Sequence, residues 1–374
     1  MKKLKVVTVV GTRPEIIRLA ECIKLCDRFF DHILIHTGQN YDYELNEIFF
    51  EDLELRKPNI FLNVAGNHLG ETIGNVIARS FEVFSEEKPD ALLVLGDTNS
   101  VLCTIAAKRL KIPIFHMEAG NRCFDQNVPE EINRKISDHI SDINLTYTEN
   151  SRRYLLSEGF RKDHVFVTGS PLFEVLEKYK NKIEHSDVVS RLGLEENKYI
   201  VVSAHREENI DIKNHFEILA ESLNTVAEKY KMPIIFSTHP RTKKRIENNQ
   251  IKFHPLIKNV APLGFFDYVK LQKHSYIVLS DSGTISEESA MMKFPAVSIR
   301  TSTERPEAID WGTISLGGIS KESMLNSIEI AKGLALDKES QLPFEYSIKN
   351  TSARVIRAIQ SYTPIINKVI WDKE

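Results

Sequence analysis

The sequence predicts an α/β protein made of two successive Rossmann-like domains, with parallel sheets, facing a cleft. Three observations lead there. Near-continuous apolar runs alternate with amphipathic helical patterns almost from end to end, as strands covered on both faces by crossover helices do. The alternation restarts at Tyr199–Ser203. The length of 374 residues exceeds one ordinary core and suits two domains.

Taken in order, strand-like runs fall at Lys5–Val10, His32–His36, Ala91–Leu95, Ile112–Met117, Ile143–Tyr147 and Val165–Thr168. Helical patterns lie between them at Arg13–Cys26, Glu71–Glu87, Ser100–Leu110 and Glu130–Ile140. The second half repeats the scheme: a strand at Tyr199–Ser203, a helix at Asn214–Tyr230, then strands at Pro233–Ser237, Tyr276–Ser280 and Ala296–Ile299. Residues 179–198 are polar, charged and without a strand run, which puts the boundary there. The expected division is 1–178, 179–350 and a closing helix within 351–374 that packs back on the first domain. Two doubly wound halves in series make a GT-B-like architecture, in which ligands bind beyond the carboxyl ends of the strands.

Composition narrows the function. A net charge of -3 supplies no basic field, so nucleic acid is not an expected partner and any anion site is built locally. The apolar run Val6–Val10 after Met1-Lys2-Lys3 stops at Gly11, too short for a signal sequence, and no segment reaches the roughly 18 apolar residues that span a bilayer. A cytoplasmic protein is expected. The cysteines Cys22, Cys26, Cys103 and Cys123 lack metal spacing and read as reduced, buried thiols.

Six loops after strands carry the candidate chemistry. Gly11-Thr12-Arg13-Pro14-Glu15 opens a helix with a T-x-x-E capping box, and Arg13 and Arg18 make its N-terminus attractive to anions. A capped helix with surface arginines explains the same residues equally well. No GxGxxG or Walker lysine is present, so neither NAD nor ATP is indicated. Gly96-Asp97-Thr98-Asn99-Ser100 follows a strand, as does His116–Arg122 with Glu118, continuing to Glu130 and Glu131. Several carboxylates at one sheet edge suit acid/base work, because repulsion and burial push their pKa values apart. An N-cap for Asp97 and helix-dipole partners for Glu130 and Glu131 are the plainer alternatives.

In the second half, Ser203-Ala204-His205-Arg206 offers a histidine for proton transfer or phosphate contact. Ser280-Asp281-Ser282-Gly283-Thr284 turns into a helix, a cradle for a diphosphate, with Glu288 placed for ribose hydroxyls. Thr303-Glu304-Arg305 presents an arginine. Phosphate-suited loops are thus concentrated in the second half and carboxylates in the first, which suggests a nucleotide held by one and a sugar facing the other.

Together the six loops resemble the non-hydrolysing UDP-N-acetylglucosamine 2-epimerase family, in register from Gly11 to about Gly312. The resemblance implies a GT-B fold, a homodimer, a UDP-linked N-acetylamino sugar as substrate, UDP in the C-terminal domain, and no required metal or nicotinamide. By position it marks Arg13, Arg18, Asp97, Glu118, Glu130 and His205 as catalytic, and Tyr268, Ser282, Gly283, Thr284, Glu288 and Arg305 as UDP contacts, with Arg13 and His205 also binding substrate. Enzymes acting on UDP-GlcNAc commonly read SGGIQEEA, HRREN and AQHR. This chain has SGTISEES from Ser282, Glu207 for the second arginine, and Gly38-Gln39-Asn40-Tyr41-Asp42-Tyr43. The latter two regions include positions tied to allosteric UDP-GlcNAc binding in some bacterial members. The wording HTGQNYDYELNE, HMEAGNRCFDQ, SAHREEN and SDSGTISEES resembles the UDP-N-acetyl-L-fucosamine synthases of capsule and O-antigen pathways, which epimerise C2 of UDP-2-acetamido-2,6-dideoxy-L-talose. The competing expectations are an epimerase forming UDP-ManNAc, a hydrolysing epimerase, a GT-B glycosyltransferase and a non-catalytic UDP-sugar sensor.

Overall fold

A computed structural model describes residues 3–39, 43–210, 212–238, 242, 246, 251–337 and 340–373. The chain divides into two compact units, residues 1–177 with 347–374, and residues 178–346.

The first unit is built on β1 (Lys5–Val10), β2 (Asp31–His36), β3 (Ile60–Phe61), β4 (Ala91–Leu95), β5 (Ile114–Met117), β6 (Ile143–Thr146) and β7 (Val165–Val167). Their order across the sheet is β3-β2-β1-β4-β5-β6-β7, and every neighbouring pair is parallel. β4 is buried along its whole length, as a strand covered on both faces requires. The second unit repeats the design with β8 (Ile200–Ser203), β9 (Ile234–Ser237), β10 (Ile257–Val260), β11 (Ile277–Ser280), β12 (Ala296–Ser298) and β13 (Ser315–Leu316). They lie in the order β10-β9-β8-β11-β12-β13, again parallel throughout. Each unit has its own core. Val7, Val9, Leu92, Val94 and Ile114 anchor one in the first unit, and Ile200, Val202, Phe236, Ile277 and Leu279 one in the second.

Both strand orders reverse direction beside the first strand of the unit, between β1 and β4 and between β8 and β11. Loops leaving such a pair diverge to opposite faces and open a crevice between them. The candidate chemistry therefore has a definite address in each unit.

The last helix, Thr351–Val369, belongs to the first unit, where it packs against the helix Arg13–Phe29. Val355, Ile359, Thr363 and Ile366 recur every three to four residues and form its buried stripe. At its start the Thr351 hydroxyl donates to the Thr168 carbonyl at 3.1 Å and the Ser352 hydroxyl to the Glu174 carboxylate at 2.6 Å. Among the described residues, no helix is long and apolar enough to cross a membrane.

The predicted helix Ser100–Leu110 differs. It begins as a 3-10 turn, Asn99–Leu102, and becomes α-helical only over Cys103–Arg109. The Thr98 hydroxyl tightens that turn by contacting Ser100, whose own hydroxyl is held by Glu15. Asn40, Tyr41 and Asp42 lie outside the described residues, as do the side chains of Glu207 and Glu208.

Candidate active site

In the first unit the loops after β1 and β4 meet on a buried carboxylate. Glu15 accepts from the N–H of Gly11 at 3.0 Å, the N–H of Thr12 at 2.6 Å and the Thr12 hydroxyl at 2.8 Å. It also accepts from the hydroxyls of Thr98, at 3.2 Å, and Ser100. Burial pushes its carboxyl pKa up, against the pull of those donors. Residue 11 has to be glycine here, because a Cβ would stand 2.5 Å from the Thr37 hydroxyl. The sequence shows Glu15 as a helix cap. The structure shows it tying together two loops of the candidate site.

Asp97 and Glu118 leave adjacent strands, since Leu95 pairs with Met117 in register. Arg134 donates to Asp97 Oδ2 from Nε at 2.8 Å and lies at 2.7 Å through Nη2. Glu118 has a left-handed backbone, φ 63°, which costs a non-glycine residue about 1–3 kcal/mol. That turn folds its carboxylate back over Gly96, where an added methyl would touch Oε2 at 3.7 Å. Arg18, buried under the Tyr147 ring, reaches Glu118 Oε2 at 3.6 Å. Arg13 is half-buried, with its guanidinium over the Phe49 ring at 5.9 Å. Glu130 stands half-buried in the first turn of the helix Pro129–Ile140, whose Asn133 and Arg134 contact Asp97.

Neighbouring acids hold this arrangement in place. Glu131, fully buried, accepts from the N–H groups of Cys123 and Phe124 at 3.1 and 3.3 Å and from Arg134 at 2.9 Å. Burial alone would raise its pKa, but the Cys123 and Arg134 hydrogen bonds bring it below the ordinary value. Asp138 is likewise lowered, the contacts from His116 and Arg122 outweighing desolvation. Arg122 binds Asp138 at 2.6 Å and grips Glu158 with two nitrogens at 2.7 Å each. Cys123 does not follow the expectation of a buried thiol. It is half-exposed, because its backbone follows the Glu131 carboxylate around the loop.

In the second unit the loops after β8 and β11 meet on Asp281. This buried carboxylate accepts from the N–H of His205, the N–H of Arg206 and the Asn209 amide, at 3.0, 3.0 and 3.1 Å. The His205 side chain is 51% exposed, with Nδ1 3.2 Å from Asp281 Oδ1. Ser282, Gly283 and Thr284 form the turn before the helix Ile285–Met292. The Ser282 and Thr284 hydroxyls are 2.9 Å apart, and Thr284 donates to Glu288 at 3.1 Å. Glu288 also accepts from Gln272 at 2.7 Å. A Cβ on Gly283 would overlap Glu304, which Arg300 holds at 2.7 Å and Arg206 approaches at 3.6 Å. Tyr268, on the helix Phe265–Lys273, packs half-buried against the local core. Arg305 corrects the expectation of an arginine presented by its loop. It is 2% exposed and paired with buried Glu287 at 2.8 Å.

The candidate site residues thus form two groups, one in each unit. Arg13, Arg18, Asp97, Glu118 and Glu130 lie in the first unit. His205, Tyr268, Ser282, Gly283, Thr284, Glu288 and Arg305 lie in the second. The sequence offers no sign of Asp138, because a lone Asp carries no signal of its burial, and it shows Asp281 within a post-strand loop without a role of its own. Both follow or face strand ends, the one hint available.

A pair of parallel sheets with reactive loops at their carboxyl ends defines an α/β protein of GT-B-like fold. The chain belongs to the UDP-N-acetylglucosamine 2-epimerase family, whose model matches residues 24–360, and it is an isomerase, a UDP-sugar 2-epimerase. It is 45% identical to a solved UDP-N-acetylglucosamine 2-epimerase from Rickettsia bellii, with TM-score 0.92, covering 99% of this chain and 100% of that one. The Methanocaldococcus jannaschii enzyme, solved with UDP-GlcNAc and UDP, is 34% identical with TM-score 0.90, covering 96% and 99%. The UDP-2,3-diacetamido-2,3-dideoxy-D-glucuronate 2-epimerase of Pseudomonas aeruginosa is 31% identical over 343 residues, 91% of this chain and 95% of that protein.

Proposed function

We propose that this epimerase acts on UDP-2-acetamido-2,6-dideoxy-L-talose and forms UDP-N-acetyl-L-fucosamine for surface polysaccharide. The observation that carries the mechanism is Glu118, held in a costly left-handed conformation beside Asp97 at the ends of paired strands. The C2 hydrogen has no adjacent carbonyl, so direct deprotonation is too uphill. Instead the C1–O bond breaks, UDP leaves with the bonding pair, and a base takes the C2 proton, giving a glycal-type alkene. UDP oxygen then re-forms the bond at C1 while a proton is delivered to the opposite face of C2.

Inversion needs proton-transfer groups for both faces, and Asp97, Glu118 and Glu130 are the candidates. Arg13, Arg18 and His205 would balance the charge developing on the departing diphosphate. Ser282, Gly283, Thr284 and Glu288 would hold the UDP, and Arg305 would brace their helix through Glu287. The resemblance of HTGQNYDYELNE, HMEAGNRCFDQ, SAHREEN and SDSGTISEES to the fucosamine synthases supports the deoxy-sugar reading. The relatives solved with or named for UDP-GlcNAc support a second one, interconversion of UDP-GlcNAc and UDP-ManNAc.

An NMR time course in D₂O decides between them, each UDP sugar offered separately. Turnover of the talose compound alone, with deuterium at C2, is the expected result. Turnover of UDP-GlcNAc alone would move the chain to the second reading. Product without deuterium at C2 would rule out elimination.

A further inference from the structure

We propose that Asp281 is a positioning residue for the epimerisation, holding the His205 ring with Nδ1 toward its own carboxylate and Nε2 outward. The proposal rests on the epimerase reading and deepens it.

The placement follows from strand register. Ser280 at the end of β11 pairs with Ser203 at the end of β8, and the Asp281 N–H donates to the Ser203 carbonyl at 3.1 Å. The residues just beyond both strands are therefore neighbours by construction. Asp281 has 0% exposure, and its two oxygens have different surroundings. Oδ2 serves the loop, accepting from the N–H of His205, the N–H of Arg206 and the Asn209 amide. Oδ1 faces the ring, 3.2 Å from Nδ1, and lies 3.2 Å from the His205 N–H.

A carboxylate only accepts, so with Oδ1 3.2 Å from Nδ1 the ring proton belongs on Nδ1. Nε2, across the ring on a half-exposed side chain, is then the nitrogen that meets substrate. Once it takes a proton, the imidazolium is countered by Asp281 from behind and can donate to a UDP oxygen. The Asp281→Asn change separates this role from a merely structural one. The amide oxygen can keep serving the backbone N–H groups of His205 and Arg206. Its NH₂ then falls at Nδ1 and donates there, which moves the ring proton to Nε2 and leaves the reacting side with the wrong tautomer.

The test uses the full ¹⁵N-labelled chain and long-range ¹H–¹⁵N spectra of the histidine rings at pH 8, with His205→Gln identifying the His205 signals by their loss. The expected result is Nδ1 protonation in the native protein and Nε2 protonation in Asp281→Asn. Asp281→Asn should also lower kcat about 100-fold, the scale of a lost proton-transfer group, with KM changed by no more than about threefold. An Nε2-protonated native ring would overturn the proposal. So would a loss of kcat in Asp281→Asn with the tautomer unchanged. If Asp281→Asn does not fold, the native ring alone decides by the same criterion. Ring spectra need no substrate, so a protein inert toward both UDP sugars would defeat both substrate readings and leave this measurement standing.

Discussion

Glu307 is 3% exposed, accepts from the Tyr346 hydroxyl at 2.8 Å and shares its surroundings with Arg305 and Glu287. Burial raises its pKa from 4.5 to about 6, with Glu287 adding to the rise and Arg305 opposing it. Between those values the native state binds more protons than the unfolded chain, so its contribution to stability falls as pH rises through 4.5 to 6. Above that window the full penalty applies, roughly 2 kcal/mol. Glu307→Gln keeps the acceptor and removes the charge. Urea unfolding should therefore show the variant more stable than the native protein by up to about 2 kcal/mol at pH 8, with the gap closing toward pH 4.5. At this scale the sequence is readable where a residue belongs to a post-strand motif, as Asp97, Glu118 and His205 do. It is silent where the partner is distant, because Glu15 meets Ser100 and Arg305 is internally paired only after the sheet has formed.

The helix Pro129–Ile140 is the element on which the first unit's acids depend. Glu131 fastens one loop, Arg134 fastens Asp97, and Asp138 fastens Gly120 and Arg122. Arg122→Ala leaves Asp138 with His116 as its remaining basic partner in a buried site. Breaking such an ion pair from one side is expected to lower stability by about 3–5 kcal/mol, read as a shift in denaturant midpoint. The long buried strands announce themselves through apolar runs, whereas this helix buries Glu131, Asn133, Arg134, Ser137 and Asp138, and its inward face is not visible as an apolar stripe. The edge strands β3, β10 and β13 do not announce themselves either. β3 and β13 have two residues each, and the middle of β10, Lys258-Asn259, is exposed, so none carries an apolar run. Where the sequence ran a strand or helix one or two residues long or short, backbone pairing with the neighbour sets the boundary, and that is not a property of the segment.

At the scale of the whole molecule, two sheets that share one strand order over six strands place two groups of candidate loops in two units, and we propose that they divide the labour. The second unit would hold UDP and the first would move protons. Amide hydrogen exchange separates the contributions. UDP alone should slow exchange at residues 204–206 and 282–288 and leave 96–100 and 118–122 unchanged, whereas a UDP sugar should protect both sets. Protection of the first unit by UDP alone would count against the division. The two-unit design is legible because the strand–helix alternation stops and restarts. Which protons move, and on which sugar, is not written in the alternation, since it depends on side chains converging from loops far apart in sequence.

The first unit is also discontinuous: the helix Thr351–Val369 that covers Arg13–Phe29 follows the whole of residues 178–346. On the ribosome, the second unit emerges as one contiguous stretch while the first waits for its last piece. At about 5–20 residues per second, that wait lasts roughly 10–40 s. Throughout it, the flank of Arg13–Phe29 that will meet the final helix has no native cover. The nascent chain thus carries a sticky half-finished domain ahead of a finished one. Slower decoding between residues 178 and 346 would lengthen that exposure and favour aggregation before release.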